Sequence, residues 1–298
     1  MNPTPATSPP PDVAGPLSIG ADARNVGAIL IDAGKLNLDN IERILRVQRE
    51  EGLRFGDAAI KLGILGPEDI QYALARQYDY PYLLKGASNV SDELVAAYQP
   101  FVSQVETLRT LRSQLLLGWR SSGITRRALT IASPDRGDGR SYLAANLAVV
   151  FSQLGEQTLL IDADMRHPRQ HTLFNLENRT GLSTLLAERG GTDDIKRIAS
   201  FKGLSVLTSG PVPPNPQELL GRPSFATLIE KLSGEFDVII IDTPPAADFA
   251  DAKSIAVRIG GALLLAHKHQ TSLRNLADLN ENLRQLSVHI EGCVLSDF

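Results

Sequence analysis

The chain has 298 residues, enough for one large domain or two ordinary ones, and 43% of them are apolar, so a sizeable core can be buried. A net charge of −4 gives no global attraction to nucleic acid or anionic lipid. The lone cysteine, Cys293, excludes an internal disulfide and fits a reducing cytosol, and no apolar run approaches the roughly 18–20 residues of a membrane span.

Residues 1–17 hold six of the 18 prolines. Proline lacks an N–H and disfavours helix in the residue before it, so a disordered tail is expected over 1–20, without the basic-then-apolar pattern of a signal peptide. An internal repeat follows. "NVGAILIDAGKLNLDNIERILRVQ" (25–48) aligns with "RFGDAAIKLGILGPEDIQYALARQ" (54–77), pairing Gly27 with Gly56, Gly34 with Gly63, Leu36 with Leu65 and Gln48 with Gln77. Apolar residues fall at helical spacing on either side of the second glycine, so each copy reads as two short helices joined at a glycine turn. The expectation is a small all-helical domain over 21–90, leaving through "YDYPYLL" (78–84). Residues 91–125 are read as a linker, with one helix over 95–120 bridging two domains.

From about Leu129 the pattern changes. Strands are expected at 128–133, 157–164, 204–210, 236–243, 261–267 and 291–296, alternating with helices at 139–154, 223–233, 249–258 and 271–286. Strands buried on both faces and alternating with helices predict an α/β domain over 126–298, a doubly wound, mostly parallel sheet.

Three stretches carry chemistry. In "SPDRGDGRSY" (133–142), Gly137 and Gly139 let backbone N–H groups wrap a phosphate, a helix starts near Arg140, and the Ser141 hydroxyl can bind Mg²⁺. In "FDVIIIDTPP" (236–245) an apolar strand ends in Asp242, placed to hold a metal-bound water. In "TLLIDADMRHPR" (158–169) a strand ends in Asp162 and Asp164, which start on one side of it. Three acids ending two buried strands downstream of a glycine loop predict a nucleotide site.

Together with "VLTSGPVPPNPQELL" (206–220), these stretches resemble the bacterial tyrosine autokinases of exopolysaccharide synthesis, a deviant Walker branch of the P-loop NTPases. Closest in pattern are the chain-length-determinant tyrosine kinases without their own membrane segment. The resemblance implies ATP and Mg²⁺ as cofactors. It implies that Gly137, Asp138, Gly139, Arg140, Ser141 and Tyr142 line the phosphates. It makes Asp162 a base or metal contact and assigns the metal to Ser141, Asp164 and Asp242, with Arg140 in the catalytic place of the family's lysine. "ETLRTLR" (106–112) matches the family's oligomerisation pattern, so Glu106, Arg109 and Arg112 are expected at a contact within a homo-oligomer. The implied partner is a membrane chain-length determinant, beside which the protein would act in the cytoplasm, peripheral to the inner membrane.

Two departures bear on activity. Arg140 is bulkier than lysine and grips phosphate with a different geometry. The family's C-terminal tyrosine cluster has no counterpart, since the tyrosines are Tyr72, Tyr78, Tyr80, Tyr82, Tyr98 and Tyr142. An acceptor would then lie elsewhere, with Tyr78, Tyr80 and Tyr82 as candidates. A nucleotide-switched scaffold without transfer, and a partition-type ATPase, are the rival readings.

The repeat resembles the N-terminal domain of type II secretion and pilus ATPases, some of which bind cyclic di-GMP. That resemblance implies contacts at Arg54, Gly56, Gly63 and Gln77, and at Gly27, Gly34 and Gln48, with Asn25 where an arginine is usual.

Overall fold

A computed structural model describes residues 26–78, 80–83, 86, 88–123 and 127–297. The expected tail over 1–20, and the first repeat as far as Asn25, lie outside them. The chain divides into two compact units, Met1–Tyr80 and Pro81–Phe298.

The first unit is the repeat realised as two helical hairpins: α1 (Val26–Asp32) with α2 (Leu38–Glu51), and α3 (Phe55–Lys61) with α4 (Pro67–Gln77). Both connections turn through glycine in the left-handed region, Gly34 at φ +69 and Gly63 at φ +64, where a side chain is strained. The closing hydrogen bonds repeat too: Gly34 N–H donates to Ile31 C=O at 2.8 Å and Gly63 N–H to Ile60 C=O at 2.9 Å. Asn37 caps α2 by accepting from Asn40 N–H, and Pro67 opens α4. α1 packs on α4 and α2 on α3, enclosing Leu30, Leu36, Ile44, Ala58, Ala59, Leu65 and Ala73. The two copies therefore complete one core between them; neither hairpin buries its apolar face alone.

The second unit starts with α5 (Val95–Tyr98) and α6 (Ser103–Ser121). The single bridging helix expected over 95–120 is thus two helices. Pro100 interrupts them, because it cannot donate a helical hydrogen bond and disfavours helix before it. α6 belongs to the core of this unit: Val105, Leu108, Leu115 and Trp119 are buried, and the Trp119 ring stacks on Phe151 with centroids 6.0 Å apart.

There follow β1 (Ala128–Ala132), α7 (Arg140–Gln153), β2 (Thr158–Asp162), α8 (Gln170–Leu173), α9 (Leu182–Leu186), β3 (Lys196–Arg197), β4 (Leu204–Leu207), α10 (Pro216–Gly221), α11 (Pro223–Leu232), β5 (Val238–Asp242), α12 (Asp251–Ile259), β6 (Gly261–His267), α13 (Leu273–Gln285) and β7 (His289–Ser296). The sheet order is β3-β4-β2-β5-β1-β6-β7, parallel except for the short edge strand β3, as the α/β pattern predicts. β1, β2, β4 and β5 are buried along their whole length, which is why they read as unbroken apolar runs. α7 is apolar nearly all round and lies buried against the sheet, with α5 and α6 packed on it. The carboxyl ends of β1, β2 and β5 therefore open side by side, with the start of α7 beside them. Among the described residues, no helix is long and apolar enough to cross a membrane.

Candidate nucleotide site

The loop from β1 to α7 turns on two left-handed glycines, Gly137 at φ +82 and Gly139 at φ +96. Between them Asp138 points inward. Its carboxylate accepts from Asp135 N–H at 2.9 Å and from the Thr271 hydroxyl at 2.5 Å, and only 2% of the residue is exposed. An acid in a phosphate loop thereby becomes a brace between that loop and the start of α13.

Arg140, the residue in the lysine position, is also turned in, with 8% exposure. Its Nε donates to Thr243 C=O at 2.9 Å, and one terminal nitrogen donates to Asp135 C=O at 2.6 Å and to the Ser133 hydroxyl. Burial lowers its pKa, opposed by the charges of Asp242, Asp138, Asp164 and Asp248. The guanidinium thus ties the end of β1, the loop and the end of β5 together.

Ser141 donates its hydroxyl to Asp242. Parallel pairing of β2 and β5 sets Asp162 directly beside Asp242. Both carboxylates are fully buried. Gln170 connects them: its backbone N–H donates to Asp162 Oδ2 at 2.9 Å and its side-chain amide to Asp242 Oδ2 at 2.8 Å. The same amide reaches Ser141 C=O at 3.1 Å, and Arg169 N–H adds a second bond to Asp162. Burial, then the neighbouring Asp242, pushes Asp162 well above the usual carboxylate range. Burial pushes Asp242 up to about 6, against the hydrogen bonds from Ser141 and Gln170 and the Arg140 charge. Asp162 Oδ1 and Asp242 Oδ1 are buried without a protein hydrogen bond. Two adjacent carboxylates with orphaned oxygens beside a serine hydroxyl are a donor set that suits a hard divalent cation. Among the described residues no three His, Cys, Asp or Glu converge into a ready-made metal cage. Mg²⁺ keeps waters and takes phosphate oxygens as ligands, so it needs only one or two protein carboxylates.

A cavity of about 300 Å³ lies over the loop. Gly137, Gly139, Arg140, Ser141, Tyr142 and Asp164 line it, together with Arg136, His167, Arg169 and Pro245. Asp164 accepts from the backbone N–H groups of Arg166 and His167, at 3.1 and 2.9 Å, which folds the loop after β2 over the site. Arg166 pins that loop to α12 through an ion pair with buried Asp251 at 2.9 Å, its guanidinium 4.0 Å from the centre of the Phe249 ring. The Tyr142 hydroxyl accepts from Gln104 at 3.0 Å, and burial raises its pKa.

Of the residues expected at the phosphates, five border the cavity and Asp138 does not. Sequence reasoning missed Arg136, His167, Arg169 and Gln170. The last three sit in "DADMRHPRQH", where the strand-end acids are the visible signal and the residues after them carry no motif of their own.

The expected oligomer residues lie on α6. Arg109 pairs with Glu106 at 2.8 Å, and Arg112 donates to Val150 C=O at 2.9 Å, near the end of α7. In the helical unit, Gly34 and Gly63 form the turns, Arg54 and Gln77 are exposed and Gln48 is half-buried. Gly56 faces Ile70: an added Cβ would lie 3.1 Å from that side chain.

No protein-family model matches the chain. It is 34% identical over 209 residues to the tyrosine-protein kinase YwqD of Bacillus subtilis (strain 168), covering 70% of this chain and 87% of that one. Among solved structures, the chimerical protein CapA2B2 superimposes with a TM-score of 0.66 at 33% identity, over 76% of this chain and 98% of that one. The kinase domain of the Escherichia coli tyrosine kinase ETK does so with a TM-score of 0.65 at 32% identity, over 68% and 79%. The glycine loop, the paired strand-end carboxylates and these likenesses agree, and the chain belongs to the bacterial tyrosine-protein kinase family.

Proposed function

We propose that this chain is a Mg²⁺- and ATP-dependent protein-tyrosine kinase-like regulator of exopolysaccharide chain length and export. The observation that carries the reading is the Ser141–Asp242–Asp162 constellation behind the two left-handed glycines. The backbone of Gly137–Ser141 and the start of α7 bind the phosphates. Ser141 and Asp242 hold Mg²⁺, with Asp164 supporting it from the cavity wall. When bound, the ion neutralises charge on the transferring phosphoryl group. Asp164 is the carboxylate that a tyrosine hydroxyl entering the cavity meets first, and Asp162 lies behind it, holding a proton readily. The loop over residues 166–170 screens the carboxylates from water. The protein would act as a homo-oligomer through α6, at the inner membrane beside a membrane chain-length determinant.

The test is incubation of purified protein with Mg²⁺ and ATP labelled at the γ-phosphate. Label on tyrosine that falls at least a hundredfold in Asp164→Asn and Asp242→Asn supports the kinase. Clean nucleotide binding without incorporation sinks it and favours a nucleotide-switched scaffold. Arg140 favours that second reading, since its guanidinium is occupied within the loop.

For the helical unit, cyclic di-GMP recognition has its own support. Repeat-equivalent apolar residues stay open to solvent in pairs, Ile31 and Ile60 at 39%, Leu45 and Leu74 at 40%. Leu45 and Leu74 each sit three residues before a repeat glutamine, Gln48 and Gln77, on one helix face. Calorimetry with cyclic di-GMP decides it: no heat at high micromolar ligand leaves only a docking role.

A further inference from the structure

A phosphate loop needs cationic charge facing the outer phosphates, and lysine ordinarily supplies it. Here the residue in that position borders the cavity but its guanidinium is engaged within the protein: Arg140 is nine-tenths buried, and its nitrogens bond Thr243 C=O, Asp135 C=O and the Ser133 hydroxyl. Turning it outward would break those bonds and leave two carbonyls and a hydroxyl unmatched beneath the loop, at a cost set by buried unpaired polar groups. The cavity has other cations. Arg136 precedes the loop glycine, and Arg169 rises from the segment after β2; both line the cavity. Among the described residues, the partner of each guanidinium is an exposed carboxylate. Arg136 pairs with Asp248 at 2.7 Å, with side chains 58% and 42% exposed, and Arg169 pairs with Glu93 at 2.8 Å, with side chains 48% and 46% exposed. Exposed pairs of this kind contribute little and exchange readily for a phosphate, which an arginine fork can bind at two points.

We propose that Arg136 and Arg169 grip the outer phosphates of a bound nucleoside triphosphate, while Arg140 braces the loop from beneath without touching phosphate. This rests on the nucleotide-site reading above and names the groups that distinguish triphosphate from diphosphate. Glu93 and Asp248 are the internal competitors that hold the two arginines in the absence of ligand.

Titration calorimetry on the full chain with Mg²⁺, using ADP and a non-hydrolysable ATP analogue, tests it. The Arg136→Ala/Arg169→Ala double variant should lose on the order of tenfold or more in affinity for the triphosphate while ADP changes far less. Glu93→Ala/Asp248→Ala frees both arginines and should tighten triphosphate binding severalfold. Arg140→Gln should melt earlier without ligand yet keep the wild-type ratio of triphosphate to diphosphate affinity. If that variant does not fold, the two double variants still decide. An unchanged ratio in Arg136→Ala/Arg169→Ala, with wild type binding both ligands, overturns this proposal alone. Wild type that binds neither ligand overturns the nucleotide reading and this proposal with it.

Discussion

The two units differ in what they bury and in how their surfaces repeat. The α/β unit buries ionisable side chains: Asp138, Arg140, Asp162, Asp164, Asp242 and Asp251 are all under a tenth exposed. The helical unit leaves apolar side chains outside, with Ile31, Ile60, Leu45 and Leu74 about two-fifths exposed. Buried ionisable groups persist only where hydrogen bonds and counter-charges offset lost hydration, and the equal exposure of the apolar pairs follows from the repeat's pseudo-symmetry. The first set surrounds the glycine loop and the strand ends of the nucleotide site; the second lies at repeat-equivalent positions of the helical hairpins.

Four measurements bear on this contrast. The largest effect is expected at Arg140. Arg140→Met leaves buried acceptors unmatched and removes the cation near Asp242, so chemical denaturation should show a loss of about 3–5 kcal/mol. A loss below about 1 kcal/mol would mean the guanidinium is not a brace.

Next comes pH. With Asp242 near 6 in the folded chain and near the ordinary 3.8 when unfolded, the folded state keeps a proton that the unfolded chain releases. This contribution is full below about pH 4 and is lost as pH rises through 6, on the order of 3 kcal/mol. Without Mg²⁺ or nucleotide, denaturant midpoints should fall across that window in wild type and fall less in Asp242→Asn. Parallel slopes would remove Asp242 as the cause.

In the helical unit, Gly34→Ala and Gly63→Ala force a side chain into the left-handed region. Each should cost about 1–2 kcal/mol, and the two should cost alike, because the turns are equivalent. Thermal melts of the full chain that separate the two by more than about 1 kcal/mol would break the repeat symmetry. Smallest of all, Leu45→Ser/Leu74→Ser should leave stability within about 0.5 kcal/mol per site, since half-exposed positions carry little core energy. A large loss would show these residues to be core after all.

Much of the fold was legible in the sequence because its signals are local. The six longer strands read as apolar runs, and the repeat's glycines keep their equivalence as paired left-handed turns. β3 was not legible: Lys196 and Arg197 form two exposed residues at an edge, too short for any period to show. The break between α5 and α6 was written in Pro100, which the reading of one long helix passed over. At the site, Gly137, Gly139, Ser141, Asp164 and Asp242 could be named from motifs. The inward turn of Asp138 could not, because its partner Thr271 lies 133 residues away. Nor could the role of Gln170, which meets Asp242 only once β2 and β5 are paired.

The Arg166–Asp251 pair has a mechanical consequence. Asp251 is the first residue of α12, and Arg166 belongs to the turn closed by Asp164. The turn over the cavity and the root of that helix are clamped at one point by a desolvated charge and an aromatic face. Any ligand that displaces the turn must either break this clamp or carry the helix with it, so α12 is the first place outside the cavity where occupancy can be read as a movement.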